Sequence, residues 1–146
     1  MTHAGNTYLL SVDYGRSVED GVKAGHYDWV DSDITSRNFP TKRKGTAEVA
    51  VELIHFNWYF WTDRVLRELD EMGYRPAELH ELLAFGEKYP EIQRGFPIFA
   101  LGSIWQDRGG NRRVPYLGRS GWERELGLAR LERCWSMVCR FAAVKK

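Results

Sequence analysis

The chain has 146 residues, 43% of them hydrophobic and 28% charged, which fits one soluble globular domain and excludes a disordered tail. Its formal net charge of +1 provides no global field to recruit nucleic acid or an anionic membrane. No apolar run reaches the roughly 18 residues of a membrane span, and the polar opening Met1-Thr2-His3-Ala4-Gly5 does not read as a signal peptide.

A chain of this length buries roughly 68–70% of its unfolded surface, enough for a core without cross-links. The two cysteines, Cys134 and Cys139, point to opposite faces if extended and do not form a bridge there, so a reduced cytoplasmic protein is expected. Six tryptophans are more than a core needs and leave rings for a binding face.

In chain order, residues 1–6 lie outside the predicted elements, and Thr7–Tyr14 is a strand of β-formers ended by Gly15. Ser17 offers an N-cap to a short helix that carries Val18 and Val22 on one face and stops at Gly25. His26–Thr35 is irregular or extended. Its Asp28, Asp31 and Asp33 lack the glycine and distal glutamate of a calcium loop, and read as turn caps. Pro40–Gly45 is a basic loop whose three adjacent cations read as a solvated turn.

Ala47–Phe56 alternates: Val49, Val51 and Leu53 on one face, Glu48, Ala50 and Glu52 on the other. Ile54 and Phe56 imply that its far end is covered on both sides. Thr62 is expected to cap a helix bearing Val65, Leu66, Leu69 and Met72 and ending at Gly73. Pro76 then opens a second helix with Leu79, Leu82 and Leu83 inward and Gly86 as its stop. Tyr89–Gln93 is a single turn. Ile98–Trp105 is a strand, Gln106–Asn111 a hairpin loop, Arg112–Leu117 the returning strand, and Gly118–Gly121 a further turn. After that, Leu128, Leu131, Trp135, Val138 and Ala142 repeat at helical spacing. The competing reading is a hairpin of strands near Arg124–Ala129 and Cys134–Val144, with Trp135, Met137, Cys139, Phe141 and Ala143 sharing a face.

This order of strand, helix, helix and then several antiparallel strands resembles the C-type-lectin-like fold from Ala47 onward. Arg75-Pro76-Ala77-Glu78 is similar to a turn of formylglycine-generating-enzyme and diversity-generating variable domains, and Cys139–Lys145 is similar to their closing strand. Tyr27–Val30, Gly73–Ala77, Ala100–Ser103 and the C-terminal strand also resemble an uncharacterised family of small bacterial and phage-associated proteins. The lectin-like resemblance implies a single α+β domain, termini that pair side by side, a ligand-facing surface on the later strands, and strands rather than a helix at the C-terminus. The chain departs from it in having no Glu-Pro-Asn, Gln-Pro-Asp or Trp-Asn-Asp triplet and no equivalent of the paired active-site cysteines or copper site, so no activity carries over.

No His-x-x-x-His, Cys-x-x-Cys, Walker loop or Gly-x-Ser-x-Gly occurs, and His26, His55, His80, Cys134 and Cys139 show no nucleophile–base spacing. Neither metal nor cofactor is expected. The stronger constellation is Trp105, Arg108, Asn111, Arg113, Tyr116, Arg119 and Trp122, which joins aromatic faces to forked guanidinium donors in the manner of interface hot spots. A non-enzymatic binding module for a protein or small-molecule partner is therefore expected. A single-stranded nucleic-acid binder using the same residues, and a small His/Cys enzyme, are the alternatives.

Overall fold

The computed structural model describes residues 2–146, with side chains from residue 6 onward. The first strand, β1 (Thr2–Asp13), begins ahead of the expected Thr7 and leads to helix α1 (Val18–Gly25). The pair β2 (Trp29–Val30) and β3 (Thr46–Phe56) follows, then β4 (Phe60–Trp61), α2 (Thr62–Glu71), β5 (Tyr74–Pro76) and α3 (Leu79–Lys88). A 3-10 turn at Ile92–Arg94 precedes β6 (Ile98–Phe99), β7 (Trp105–Gln106), β8 (Arg112–Ser120) and β9 (Glu123–Arg130). The chain closes with β10 (Cys134–Trp135) and β11 (Arg140–Lys145).

Among the described residues nine strands form one sheet in the order β1-β3-β11-β6-β8-β9-β2, with β5 also on β11 and β7 on β8. The α+β class holds, but the sheet is mixed: β6 runs parallel to β11 and β2 parallel to β9. The last strand pairs with β3, so β3 stands between the first and last strands.

Alternation along the strands sorts the apolar side chains onto two faces. Val49, Val51, Leu53, Leu117, Leu126 and Ala142 pack with Val18 of α1 and with Leu79, Leu82 and Phe85 of α3. Ile54, Phe56, Phe99, Val114, Phe141 and Ala143 pack on the other face with Val65 and Leu69 of α2 and with Trp135. The predicted switch within β3 at Ile54 is thus the place where the second layer begins. On that face Phe99, Trp135 and Phe141 form a ring cluster with centroids 4.6–6.3 Å apart, and burying each such ring stabilises the fold by about 1.5–3 kcal/mol.

Several local expectations are corrected. Residues 123–130, 134–135 and 140–145 are strands, against the helical spacing; in a sheet covered on both sides, adjacent residues such as Phe141 to Val144 are all buried and the period of two disappears. The two C-terminal strands do not form a hairpin either. β9 pairs with β8, β11 pairs with β3, β5 and β6, and Met137 is exposed while Cys139 is buried. Pro76 lies in β5 opposite Ala143, and α3 begins only at Leu79. Its cap is Glu78, whose side chain and that of Glu81 form a reciprocal capping box. Gly86 is inside α3, where its missing side chain makes room for the Tyr27 ring. Thr62 is the first residue of α2 rather than its cap; its hydroxyl donates to the Leu131 carbonyl and accepts from Trp135 Nε1 at 2.8 Å. The expected turn at Gly118–Gly121 begins later, since β8 runs through Ser120.

The expected strand from Ile98 to Trp105 breaks after Phe99 and resumes at Trp105. At the break the Gly102 N–H donates to the Ala77 carbonyl at 2.9 Å, and Ser103 Oγ accepts from the Leu79 N–H at 2.7 Å. A Cβ on Gly102 would stand 2.6 Å from both the Pro76 and Ala77 carbonyl oxygens. Gly102→Ala is expected to destabilise by about 1–3 kcal/mol, read as a lower midpoint in urea at unchanged slope.

Candidate functional site

The β7–β8 hairpin is built on one carboxylate. Asp107 Oδ1 accepts from the N–H groups of Gly109 and Asn111, each at 2.9 Å, and Oδ2 accepts from Arg113 Nε at 3.0 Å. The Arg113 bond and these backbone donors hold the Asp107 carboxyl below the usual carboxylate range. The loop is fixed by its own side chain, and Trp105 at its root is half-buried against Phe39, with ring centroids 6.4 Å apart.

Across from the hairpin runs the segment 32–42. Between the two lie two depressions, one on each side of the Phe39–Trp105 ring pair, which are together termed the trough. The first, about 480 Å³, is lined by Asp33, Arg37, Asn38, Trp105, Gln106 and Arg108. The second, about 280 Å³, is lined by Phe39, Lys42, Glu78, Ser103 and Ile104. Arg37 and Arg108 are exposed, and neither they nor Lys42 form an ion pair among the described residues. Glu78 is already paired with Arg43 at 2.7 Å and Asp107 with Arg113, which leaves the trough cationic apart from Asp33. It combines an aromatic wall with three uncommitted cations along the two depressions. That chemistry suits an extended anionic ligand.

The predicted site residues divide into two groups. Trp105, Arg108, Asn111 and Arg113 gather at the hairpin, whereas Arg119 is at the other end of β8 and Trp122 lies just beyond it. The separation from Arg113 to Arg119 is about 20 Å at ordinary strand rise. Tyr116 is between the groups and belongs to the fold. Its ring packs on Phe99 and covers Gly127 directly across from it, and its hydroxyl reaches Glu125 at 3.2 Å. Burial, reinforced by Glu125, pushes its pKa up to about 12. Trp122 is 75% exposed, with the Arg94 guanidinium over its ring at 5.4 Å, while Arg119 donates to the Gly121 carbonyl.

Arg37, Phe39, Lys42 and Ile104 went unnoticed as site residues in the sequence. Nothing in a solvated basic loop marks it as the opposite wall of a trough. Two of the three aspartates of residues 28–33 serve backbone groups: Asp28 Oδ2 accepts from the Arg124 N–H at 2.7 Å, and Asp31 Oδ1 accepts from the Asp33 N–H at 2.9 Å. His26 caps α1 in the left-handed region, His80 of α3 meets the Arg16 carbonyl at 3.2 Å, Cys139 is buried in the second core and Cys134 is exposed. These side chains are dispersed over the molecule.

The fold and site together define an α+β domain with a cationic, aromatic-walled trough. No protein-family model, no curated protein and no solved structure matches the chain. Among the described residues no helix is long and apolar enough to cross a membrane.

Proposed function

We propose that this protein is a non-enzymatic binding module whose partner presents an extended acidic segment to the trough between residues 32–42 and 102–108. The observation that supports this reading is the trio Arg37, Lys42 and Arg108, which have no carboxylate partner among the described residues and line the depressions on either side of the Phe39–Trp105 ring pair. A free guanidinium gives a carboxylate a forked, charge-assisted bond, and the half-buried Trp105 ring gives a flanking side chain a surface to cover. The scatter of histidines and thiols favours binding over catalysis. Arg119 and Trp122 stand outside this site.

Fluorescence anisotropy with a labelled octapeptide of alternating Glu and Tyr tests the reading. Arg37→Ala and Arg108→Ala are each expected to weaken binding about 10-fold, the loss of one charge-assisted bond. Arg119→Ala, at the far end of β8, leaves it unchanged. Equal losses at all three positions, or no binding, would refute the trough. A twelve-residue oligothymidine that binds where the peptide does not, with affinity falling steeply in salt, would replace this reading by a single-stranded nucleic-acid binder.

A further inference from the structure

The sheet ends at β1, and the far edge of that strand is open. Tyr14 N–H donates to the Gly45 carbonyl, so from Thr7 to Asp13 the backbone groups of even-numbered residues face β3 and those of odd-numbered ones face outward. Lys88 Nζ and Tyr89 Oη both approach the Leu9 carbonyl, at 2.8 and 3.4 Å, and the Asp13 carbonyl accepts from the Arg16 N–H. Between these two covered carbonyls, the N–H and C=O of Ser11 have no partner among the described bonds. Open edges are usually blunted by charge, proline or a bulge; β1 has an irregularity between Ala4 and Thr7 and the Lys88 ammonium at Leu9, and the stretch from Leu10 to Val12 carries neither. Here two cavities flank the uncovered part.

The first, about 70 Å³, is walled by Ser11, Gly21, His80, Leu83 and Ala84. Gly21 contributes the space: a Cβ there would stand 3.0 Å from Leu83 Cδ1. The second, about 410 Å³, is lined by Leu10, Ser11, Ala84, Glu87 and Lys88. Both lie on the helix side of the strand, the side that receives alternate side chains of a strand added to the edge. The smaller one has the size for a small side chain; Asp13, Arg16 and Ser17 complete its wall, and Leu83 and Ala84 are the apolar surface that an aliphatic group covers. In the larger one Glu87 is held by Arg16 at 2.9 Å, which leaves the Lys88 ammonium as the group without a carboxylate.

We propose that β1 receives an extended peptide segment of a partner protein by strand addition. The partner residue opposite Ser11 makes two backbone hydrogen bonds. Its two neighbours enter the cavities, an aliphatic side chain between Gly21 and Leu83 and an acidic one beside Lys88. The recognised pattern is therefore an aliphatic and an acidic residue two apart in an extended chain, with main-chain bonds supplying affinity and the cavities supplying choice. This surface shares no residue with the trough, so each is tested without the other.

The probe is a blocked, labelled heptapeptide carrying Glu and Val two apart on a threonine background, together with the peptide of reversed sequence. One of the two is expected to bind the full chain. Ser11→Pro removes the outward N–H without touching the β3 ladder, and Ala84→Leu extends the half-buried Ala84 side chain into both cavities, which it lines. Each is expected to weaken binding at least 10-fold with an unchanged melting temperature. Lys88→Glu is expected to reject the Glu peptide and accept one with Lys in its place. Binding that ignores Ser11→Pro and Ala84→Leu, or no binding by either peptide, overturns the proposal. So does a dimer in solution that Ser11→Pro converts to monomer, because the edge would then be occupied by a second copy.

Discussion

Replacing Arg124 by Ala is expected to cost about 3–5 kcal/mol of stability, because the groups it serves are buried and have no alternative. The Arg124 side chain is buried, yet no carboxylate pairs with it among the described residues. Its guanidinium donates to the carbonyls of Gly25 at 2.6 Å and Gly86 at 3.0 Å, and to Gln93 Oε1 at 3.0 Å. Gly25 ends α1 and Gly86 lies in the last turn of α3, so the cation sits at the negative ends of two helix dipoles. The Tyr27 ring covers its face at 4.6 Å. Gln93 is itself tied by its amide to the Gly118 carbonyl at 2.8 Å. One side chain therefore fastens α1, α3, the 3-10 turn and β9. Arg124→Lys keeps the charge but loses the fork, and is expected to recover only a minor part of the loss. Chemical denaturation of both variants measures this; a lysine variant as stable as the parent would show that charge alone suffices.

The second large effect concerns Glu81, whose carboxylate is fully buried between Arg75 and Tyr14. Arg75 donates to it twice, at 2.6 and 3.0 Å, Tyr14 Oη once at 2.5 Å and the Glu78 N–H once at 2.8 Å. Burial alone would raise its pKa, but these donors outweigh burial and hold the carboxyl below its ordinary value of 4.5. Glu81→Leu is expected to cost about 3–5 kcal/mol by leaving the Arg75 charge without its partner, whereas Arg75→Met with Glu81→Leu recovers much of that loss. The pH dependence follows from the direction of the shift. A depressed folded pKa stabilises above the unfolded value and loses that contribution as pH falls through the folded one, so stability declines in acid below about 4.5. The double variant is expected to have a flatter acid limb in urea titrations. Tyr14 acts in the opposite range. Burial, then the bond to Glu81, pushes it up to about 12, so the fold favours the neutral phenol and loses stability as pH rises from 10 toward 12. If the acid limbs of parent and double variant coincide, Glu81 is not the group responsible.

Much of the scaffold was legible in the sequence because its causes are local. Ser17 caps α1 through the Asp20 N–H at 3.0 Å, Gly73 ends α2 at a φ of 85°, and the alternation of β3 gives both its buried faces correctly. The helix at Leu79 was found while its start was misplaced, since pairing of Tyr74–Pro76 with β11 depends on a strand seventy residues away. The hairpin after Trp105 was read from its turn residues. Its companion wall was not, because Arg37 and Lys42 become part of a trough only once the chain between β2 and β3 folds across from residues 102–108.

By itself the sequence determined the α+β class, the inward faces of its helices and the aromatic–arginine character of the later strands, since these follow from composition and from periods of 2 and 3.6 residues. Tertiary structure decided which of those arginines face solvent. Arg108 is exposed, Arg124 is sealed beneath two helix ends and Arg113 is committed to Asp107. The same side chain can be a ligand contact or a fold fastener. Carbonyls and carboxylates brought from distant parts of the chain make that choice, and a linear pattern does not record them.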